Sequence, residues 1–240
     1  MQLEEELIPY LKDEKFSNGL YLKTSESKKK LDNRIDFLCS YSTGKKIIHV
    51  GCVDHIPLIQ KKIENNLWLH ARINEVASKQ LGIDISREGL DYVRKNFGYT
   101  NVIYENVVSG DPVAEEIQSE KWDAMILGEI LEHVDNPVLF LQNLKKKYAA
   151  YVKELVITVP NAFAWENFYL ALKKKECINT DHRAWFSIYT LSKNLTLADF
   201  EISSYEFVTS YPNDYKGSWK KFFLKKYPQF NSTIVMISKF

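Results

Sequence analysis

Short apolar runs punctuate this chain, and amphipathic stretches fill the intervals between them. KKIIHV (45–50), LGIDI (81–85), NVIYENV (101–107), KWDAMILG (121–128) and ELVITVP (154–160) read as five strands. Runs of this length and apolarity belong in a sheet covered on both faces. After the first strand come IPLIQKKIE and LWLHARINEVASKQ, and in the latter Leu69, Ile73 and Val76 share one helical face. SREGLDYVRKNFG turns Leu90, Val93 and Phe97 inward behind Ser86 as N-cap. Asp111-Pro112 and Asn136-Pro137 each predict a helix start in cap-then-proline order, and on the second helix Val138, Leu141 and Leu144 align. Upstream, Leu31, Ile35 and Leu38 recur at helical spacing, which predicts a helix before the first strand.

Alternating strands and helices predict an α/β, doubly wound, Rossmann-like sheet that is mostly parallel. The pattern changes after residue 185. LSKNLTLADF reads as a helix, and EISSYEFVT and STIVMISKF as strands without a regular helix between them, which predicts an antiparallel pair with a reversed C-terminal strand. No repeat, Pro-rich linker or low-complexity tract divides the 240 residues, so a single domain is expected over 1–240, with 1–44 as an N-terminal helical extension.

Composition narrows the function classes. A net charge of +1 gives no general pull toward nucleic acid or an anionic membrane. Basic clusters stand at Lys28-Lys29-Lys30, Lys145-Lys146-Lys147 and Lys173-Lys174-Lys175, and two of them fall where helices should end, complementing a helix dipole. Three scattered cysteines offer neither a CxxC pair nor a disulfide framework. The acidic start MQLEEELIPYLKDEK is no signal peptide, and nowhere do about 18 apolar residues run together, so no membrane span and a cytoplasmic location are expected.

In a doubly wound sheet the ligand lies beyond the C-terminal strand ends, where strand order reverses. The residues there are Gly51, Asp84, Asn106, Gly128 and Glu129. Asp84 can accept hydrogen bonds from both hydroxyls of a ribose. It lies farther from Gly51 than the roughly 20 residues usual in dinucleotide-binding units, the excess being taken up by the stretch through LWLHARI. The turn IIHVGCVDHIPLI (47–59) has one glycine where a pyrophosphate would need three. Asp54 beside it would instead attract a cationic group such as a sulfonium, which favours a cofactor with a ribose and no phosphate.

WDAMILGEILEHVDNPVLFLQNL (122–144) resembles the fourth-strand motif of class I S-adenosylmethionine-dependent methyltransferases. GIDIS (82–86) resembles their second-strand acidic motif, and the late strand pair their reversed seventh strand. The resemblance covers roughly residues 45–240. ITVPNAF (157–163) and DHRAWFSIYTL (181–191) are similar to a bacterial subgroup that often acts on sugars or precursors of surface polysaccharide. It implies S-adenosyl-L-methionine as cofactor and S-adenosyl-L-homocysteine as product. It implies that Gly51 passes beneath the cofactor with Cys52, Asp54 and His55 alongside. Asp84 with Ile85 would meet the ribose, Asn106 with Val107 the adenine, and Gly128 with Glu129 the methionine portion. GCVDH departs from the family's GxGxG, which leaves a cofactor-free relative as an alternative.

Transfer to a hydroxyl benefits from a general base, and His133 and His182 are the candidates, His182 paired with Asp181 as orienting acid. Glu129, Glu132, His133 and His182 can also be read as metal ligands, but a segment still leaving a strand at Glu129 should not present them on one helical face, so no metal is expected. The segment 162–190, crowded with Phe163, Trp165, Phe168, Tyr169, Trp185, Phe186 and Tyr189, is expected to cover the acceptor site. In SWKKFFLKKYP, Trp219, Phe222, Phe223 and Tyr227 fall at roughly helical spacing, which predicts packing against the sheet ahead of a membrane or nucleic-acid face. The expected function is O-methylation of a small-molecule or glycan-precursor acceptor, with no nucleic-acid partner. The rivals are N- or phosphate-type methylation and a non-catalytic partner subunit.

Overall fold

The computed structural model describes residues 1–26, 31–211 and 218–240; the basic run Lys28-Lys29-Lys30 lies outside them. Seven strands form one sheet: β1 (Lys46–Val50), β2 (Lys79–Asp84), β3 (Val102–Tyr104), β4 (Trp122–Gly128), β5 (Val152–Pro160), β6 (Glu201–Val208) and β7 (Thr233–Lys239). Their order is β3-β2-β1-β4-β5-β7-β6. β1 pairs in parallel with β2 and β4, and β2 with β3. β6 and β7 pair antiparallel, as expected, although a helix over Ser218–Lys226 lies between them in the chain. Strand order reverses between β1 and β4, so the ligand crevice of this topology falls at their C-terminal ends.

The helices are α1 (Ile8–Leu11), α2 (Arg34–Ser42), α3 (Ile56–Glu64), α4 (Leu69–Asn74), α5 (Arg87–Phe97), α6 (Glu115–Gln118), α7 (Pro137–Tyr148), α8 (Trp165–Leu172), α9 (Ile188–Leu197) and α10 (Ser218–Lys226). Ser86 caps α5 by accepting the Gly89 amide, and Gly98 ends it at φ +73°. Asn136 Oδ1 accepts the Leu139 amide at the start of α7, and Lys145, Lys146 and Lys147 fill its last turn.

Four elements differ from expectation. α4 stops at Asn74, so Val76 falls in the following turn, and Lys79 and Gln80 pair with β1 instead of extending a helix. β3 holds only three residues, Val102–Tyr104; Glu105 still donates its amide to the Asp84 carbonyl while its side chain turns to partners on α7. α6 starts after Ala114, not at Asp111-Pro112, and the Val113 carbonyl is taken by the Gln118 side chain. The N-terminal extension is helical only in part, at a 3-10 turn over Glu5–Leu7, in α1 and in α2.

The chain divides into two compact units. One comprises Ile35–Gly128, Asn143–Val156 and Phe240, and the other Met1–Arg34, Glu129–Gln142 and Ile157–Lys239. In the first, Cys52, Ile59, Trp68, Leu90, Val93 and Val102 form a buried cluster under the turn after β1. Beside it His70 is buried without exposure. Its Nδ1 accepts from Gln80 Nε2 at 3.1 Å and lies 3.3 Å from His49 Nδ1, while its Nε2 has no partner. Gly82 makes room for this ring: a Cβ there would stand 2.6 Å from His70 Cε1 and 2.8 Å from Cys52 Sγ.

Burial pushes the His70 imidazole down to about 4 from 6.5. The unfolded chain takes up this proton below about pH 6.5 while the folded protein resists it until about pH 4, so the unfolded state binds more protons across that window. Stability is therefore expected to be full above pH 6.5 and to fall by about 3 kcal/mol between pH 6.5 and 4 on account of this residue. Urea melts across that range check it, and a His70→Gln variant should show a shallower slope.

Candidate active site

The turn after β1 is built for a tight reversal. Gly51 adopts φ +66°, a region that favours glycine, and donates its amide to the Ile83 carbonyl at 2.9 Å. Asp84 closes the turn from β2. Its Oδ2 accepts the Val53 amide and its Oδ1 the Ser86 amide, both at 2.9 Å. Burial raises its pKa, against the opposing pull of these amides. Each carboxylate oxygen spends one lone pair on the backbone and keeps another for an incoming donor. Val53 was not a sequence candidate, since only the folded turn reveals which amide meets Asp84. α5 fits close beneath, where a Cβ on Gly89 would stand 2.5 Å from Val53 Cγ1.

The neighbours of Gly51 divide. Cys52 turns its side chain into the buried cluster and gives its carbonyl to Trp68 Nε1, and burial pushes its thiol far up, so its side chain is not available to a cofactor. Asp54 is ion-paired with Lys62 of α3. Its charge is therefore neutralised within the protein, which removes the argument that it attracts a sulfonium. His55 is exposed and occupies the N-cap position of α3. Ile85 is 67% exposed, directly beyond Asp84, and offers an apolar platform.

The loop after β3 is pinned by buried charges. Glu105 pairs with Lys147 at 2.8 Å, each side chain under 10% exposed, and also accepts from Tyr148 Oη at 2.7 Å. Lys147 Nζ donates in addition to the Asn106 carbonyl. Asn106 Oδ1 accepts the Val108 amide at 3.2 Å, leaving one lone pair, and Val107 is buried. Glu105→Ala would strand the Lys147 charge, and a loss of about 3 kcal/mol is expected in chemical denaturation.

A second cluster lies in the other unit. Glu129 adopts φ +59°, uncommon for a residue with a Cβ, and its amide meets Thr158 O at 3.0 Å and Thr158 Oγ1 at 3.2 Å. A 3-10 turn over Leu131–His133 then carries Glu132, which is fully buried with no partner for either carboxylate oxygen. Burial, and then the Glu129 charge, push the Glu132 carboxyl up to about 8. His182 Nε2 stands 4.0 Å from Glu132 Oε1. The His133 and His182 rings meet edge to face at 4.8 Å between centroids. One ligand atom from each of Glu132, His133 and His182 lies within 4.8 Å of the others.

Thus His133 and His182 come together, but with Glu132 in the place expected for Asp181. Asp181 meets His133 through its carbonyl, at 3.2 Å from Nδ1. As expected of a segment just leaving a strand, Glu129 and His133 share no helix. Instead the left-handed turn at Glu129 and the 3-10 turn bring Glu132 and His133 beside His182, with Glu129 outside the group. Burial and the neighbouring His133 lower the His182 pKa. Glu129 Oε1 and His182 Nδ1 are likewise buried without partners. Carboxylate and imidazole atoms this close together, with no internal donor to the Glu132 oxygens, offer the mixed N and O ligands that a divalent cation accepts.

In the same unit a cavity of about 380 Å³ is lined by Asn167, Leu170 and Ala171 of α8 together with Lys175, Glu176 and Trp185. The Trp185 ring is 6.4 Å from that of His182, so one wall of the cavity adjoins the histidine cluster.

No protein-family model and no curated protein matches this chain. Solved structures do. The small RNA methyltransferase HEN1 is 14% identical with a TM-score of 0.54, over 86% of this chain and 24% of that one. The methyltransferase domain of bacterial CtHen1 is 13% identical with a TM-score of 0.52, over 86% and 96%. A SAM dependent methyltransferase from Aquifex aeolicus is 13% identical with a TM-score of 0.50, over 86% and 89%. This chain spans about a quarter of HEN1. At such identities the likeness is one of fold, and together with the strand order β3-β2-β1-β4-β5-β7-β6 it establishes that this chain has the fold of the class I S-adenosylmethionine-dependent methyltransferases.

Proposed function

We propose that the protein transfers a methyl group from S-adenosyl-L-methionine to a hydroxyl of a small, sugar-type acceptor, in keeping with O-methylation of surface polysaccharide precursors. Gly51, Asp84, Ile85 and Asn106 would hold the cofactor, with Asp84 accepting from the ribose hydroxyls. Contacts from Cys52, His55 or Val107 would run through the backbone or ring edges, and those from Gly128 and Glu129 would meet the methionine portion. The hydroxyl oxygen forms a bond to the methyl carbon as the bond from carbon to sulfur breaks, and the hydroxyl proton must leave. The observation that carries the reading is Glu132, buried with both oxygens unpartnered beside two histidines.

Two routes are open for the proton. His182 can take it as a general base, with His133 beside it. Alternatively Glu132, His133 and His182, with Glu129 adjacent, would hold a divalent cation, which when bound would supply Lewis-acid activation of the acceptor hydroxyl. The orphaned carboxylate oxygens favour the cation, because a base needs a partner to orient it and Glu132 is 4.0 Å away rather than hydrogen-bonded. N-methylation has no need of such a cluster, and a non-catalytic subunit would gain nothing from an unpaired buried Glu132. The cavity beside Trp185 lies in the size range of small-molecule sites. An RNA acceptor would present similar ribose hydroxyls.

The test is thermal denaturation with S-adenosylhomocysteine, with manganese(II), and with both. Each ligand bound by the native state raises the melting temperature. No shift with the homocysteine product would overturn the cofactor reading. A shift with the product and none with the metal leaves His182 as base. Tritiated cofactor incubated with glycan precursors and, separately, with RNA then identifies the acceptor.

A further inference from the structure

The segment SWKKFFLKKYP was expected to pack its aromatic residues inward, and it does so only in part. Phe223 packs on Trp165 at 5.1 Å and on Phe230 at 5.4 Å between centroids. Trp219 and Phe222, by contrast, remain 63% and 69% exposed. α8 lies against α10 through Trp165, whose ring is 6.4 Å from Trp219, and through the Glu166–Lys220 ion pair. It presents Phe168, Tyr169 and an 83% exposed Leu172. Two neighbouring helices thus display five large apolar side chains to solvent, and Tyr227, just past α10, is a sixth.

The charge around them is mainly positive, Glu166, which pairs with Lys220, and Glu176 being the nearby acids. Lys173, Lys174 and Lys175 follow α8, and Lys220, Lys221, Lys225 and Lys226 lie on α10. Neither 167–175 nor 218–228 contains a carboxylate. Lys173 reaches over the Tyr169 ring and Lys226 over that of Tyr227, so some of these cations ride at the edges of the aromatic groups. Exposed Trp, Phe and Leu side chains flanked by lysines form the pattern of a surface that inserts shallowly between lipid headgroups while its cations meet anionic lipids. Nucleic acid would use the lysines and the aromatic faces, but Leu172, the most exposed of the six, has no face on which a base can stack.

We infer that the α8–α10 face docks the protein onto an anionic membrane surface. This does not depend on the methyl-transfer reading. Among the described residues no helix is long and apolar enough to cross a membrane, so the docking is peripheral.

The experiment is co-sedimentation of the full chain with vesicles of phosphatidylcholine alone and of phosphatidylcholine with about a third phosphatidylserine, the anionic lipid supplying the charge contrast. Binding at least tenfold stronger to the anionic vesicles, weakened by raised salt, is the expected result. A Trp219→Ser/Phe222→Ser variant, altered only at exposed side chains, should lose most of that binding while keeping its far-ultraviolet circular dichroism and melting temperature. Equal binding to both vesicle types, or undiminished binding by the variant, would overturn the proposal. So would tight binding of polyuridylate with no binding to anionic vesicles, which would assign the face to nucleic acid.

Discussion

Asp84→Ala is expected to weaken S-adenosylhomocysteine binding by at least about 100-fold, measured by isothermal titration calorimetry. Hydrogen bonds to a charged group contribute about 1.5–3 kcal/mol each, and a ribose offers two hydroxyls, so about 3 kcal/mol is the lower bound and corresponds to roughly two decades in affinity. The loss has a second component. Asp84 accepts the Val53 and Ser86 amides, and removing it frees both ends of the turn that the cofactor must find already formed. Asp84→Asn separates the two effects. Its single carbonyl oxygen can keep one amide contact, while its NH2 group faces a backbone donor, so its affinity should fall between those of the wild type and the alanine variant. The β1–β4 sheet does not depend on this side chain, and circular dichroism should be unchanged. Undiminished affinity in Asp84→Ala would remove Asp84 from the cofactor site.

Much of this architecture is legible in the sequence because it is local. Each parallel strand is a short apolar run, and its position in the chain does not depend on what it pairs with. The Ser86 cap, the Gly98 helix end and the Asn136-Pro137 start follow from backbone requirements of single residues. What escapes the sequence depends on distant partners. The burial of Glu105 depends on Lys147 and Tyr148, some 40 residues on. Asp54 reads as an attractor of cations until α3 delivers Lys62 to it. Cys52 stands in line with cofactor-contacting positions, yet its side chain points the other way, into the cluster around Trp68.

The histidine cluster shows the same division. The EILEH stretch is visible as a motif, but its geometry depends on Glu129 entering a left-handed conformation, which a residue with a Cβ adopts only when surrounding contacts compensate; here Thr158 meets its amide twice. Asp181 and its neighbour His182 lie on a segment without regular structure, 48 residues beyond His133 in the case of Asp181. Periodicity carries no information about such a contact. The signal in the sequence is chemical, histidine and glutamate types recurring near a strand end; the backbone bond from the Arg183 amide to the Glu132 carbonyl at 2.8 Å, which brings His182 to them, exists only in the fold.

Glu132→Gln is expected to leave the metal-free protein as stable as the wild type or more so, to abolish stabilisation by manganese(II), and to lower methyl transfer by about 10³-fold. The stability expectation follows from burial. The wild-type carboxyl has no hydrogen-bond donor to either oxygen, and burial raises its pKa to about 8. Near neutral pH an amide of the same shape therefore replaces one uncharged, unpartnered group by another, and only at higher pH does it spare a buried charge. The loss of metal follows from ligand chemistry, since a neutral amide oxygen is a far weaker partner for a divalent cation than a carboxylate. Comparison with His182→Ala decides between the two proton routes. If a cation activates the acceptor, both variants lose activity together, the two losses do not add, and chelation of the wild type reproduces them. If His182 acts alone as the base, Glu132→Gln retains most of the activity, chelator has no effect, and only His182→Ala is inactive. Cofactor affinity serves as the control in each case, because Asp84 and its turn are untouched by either substitution.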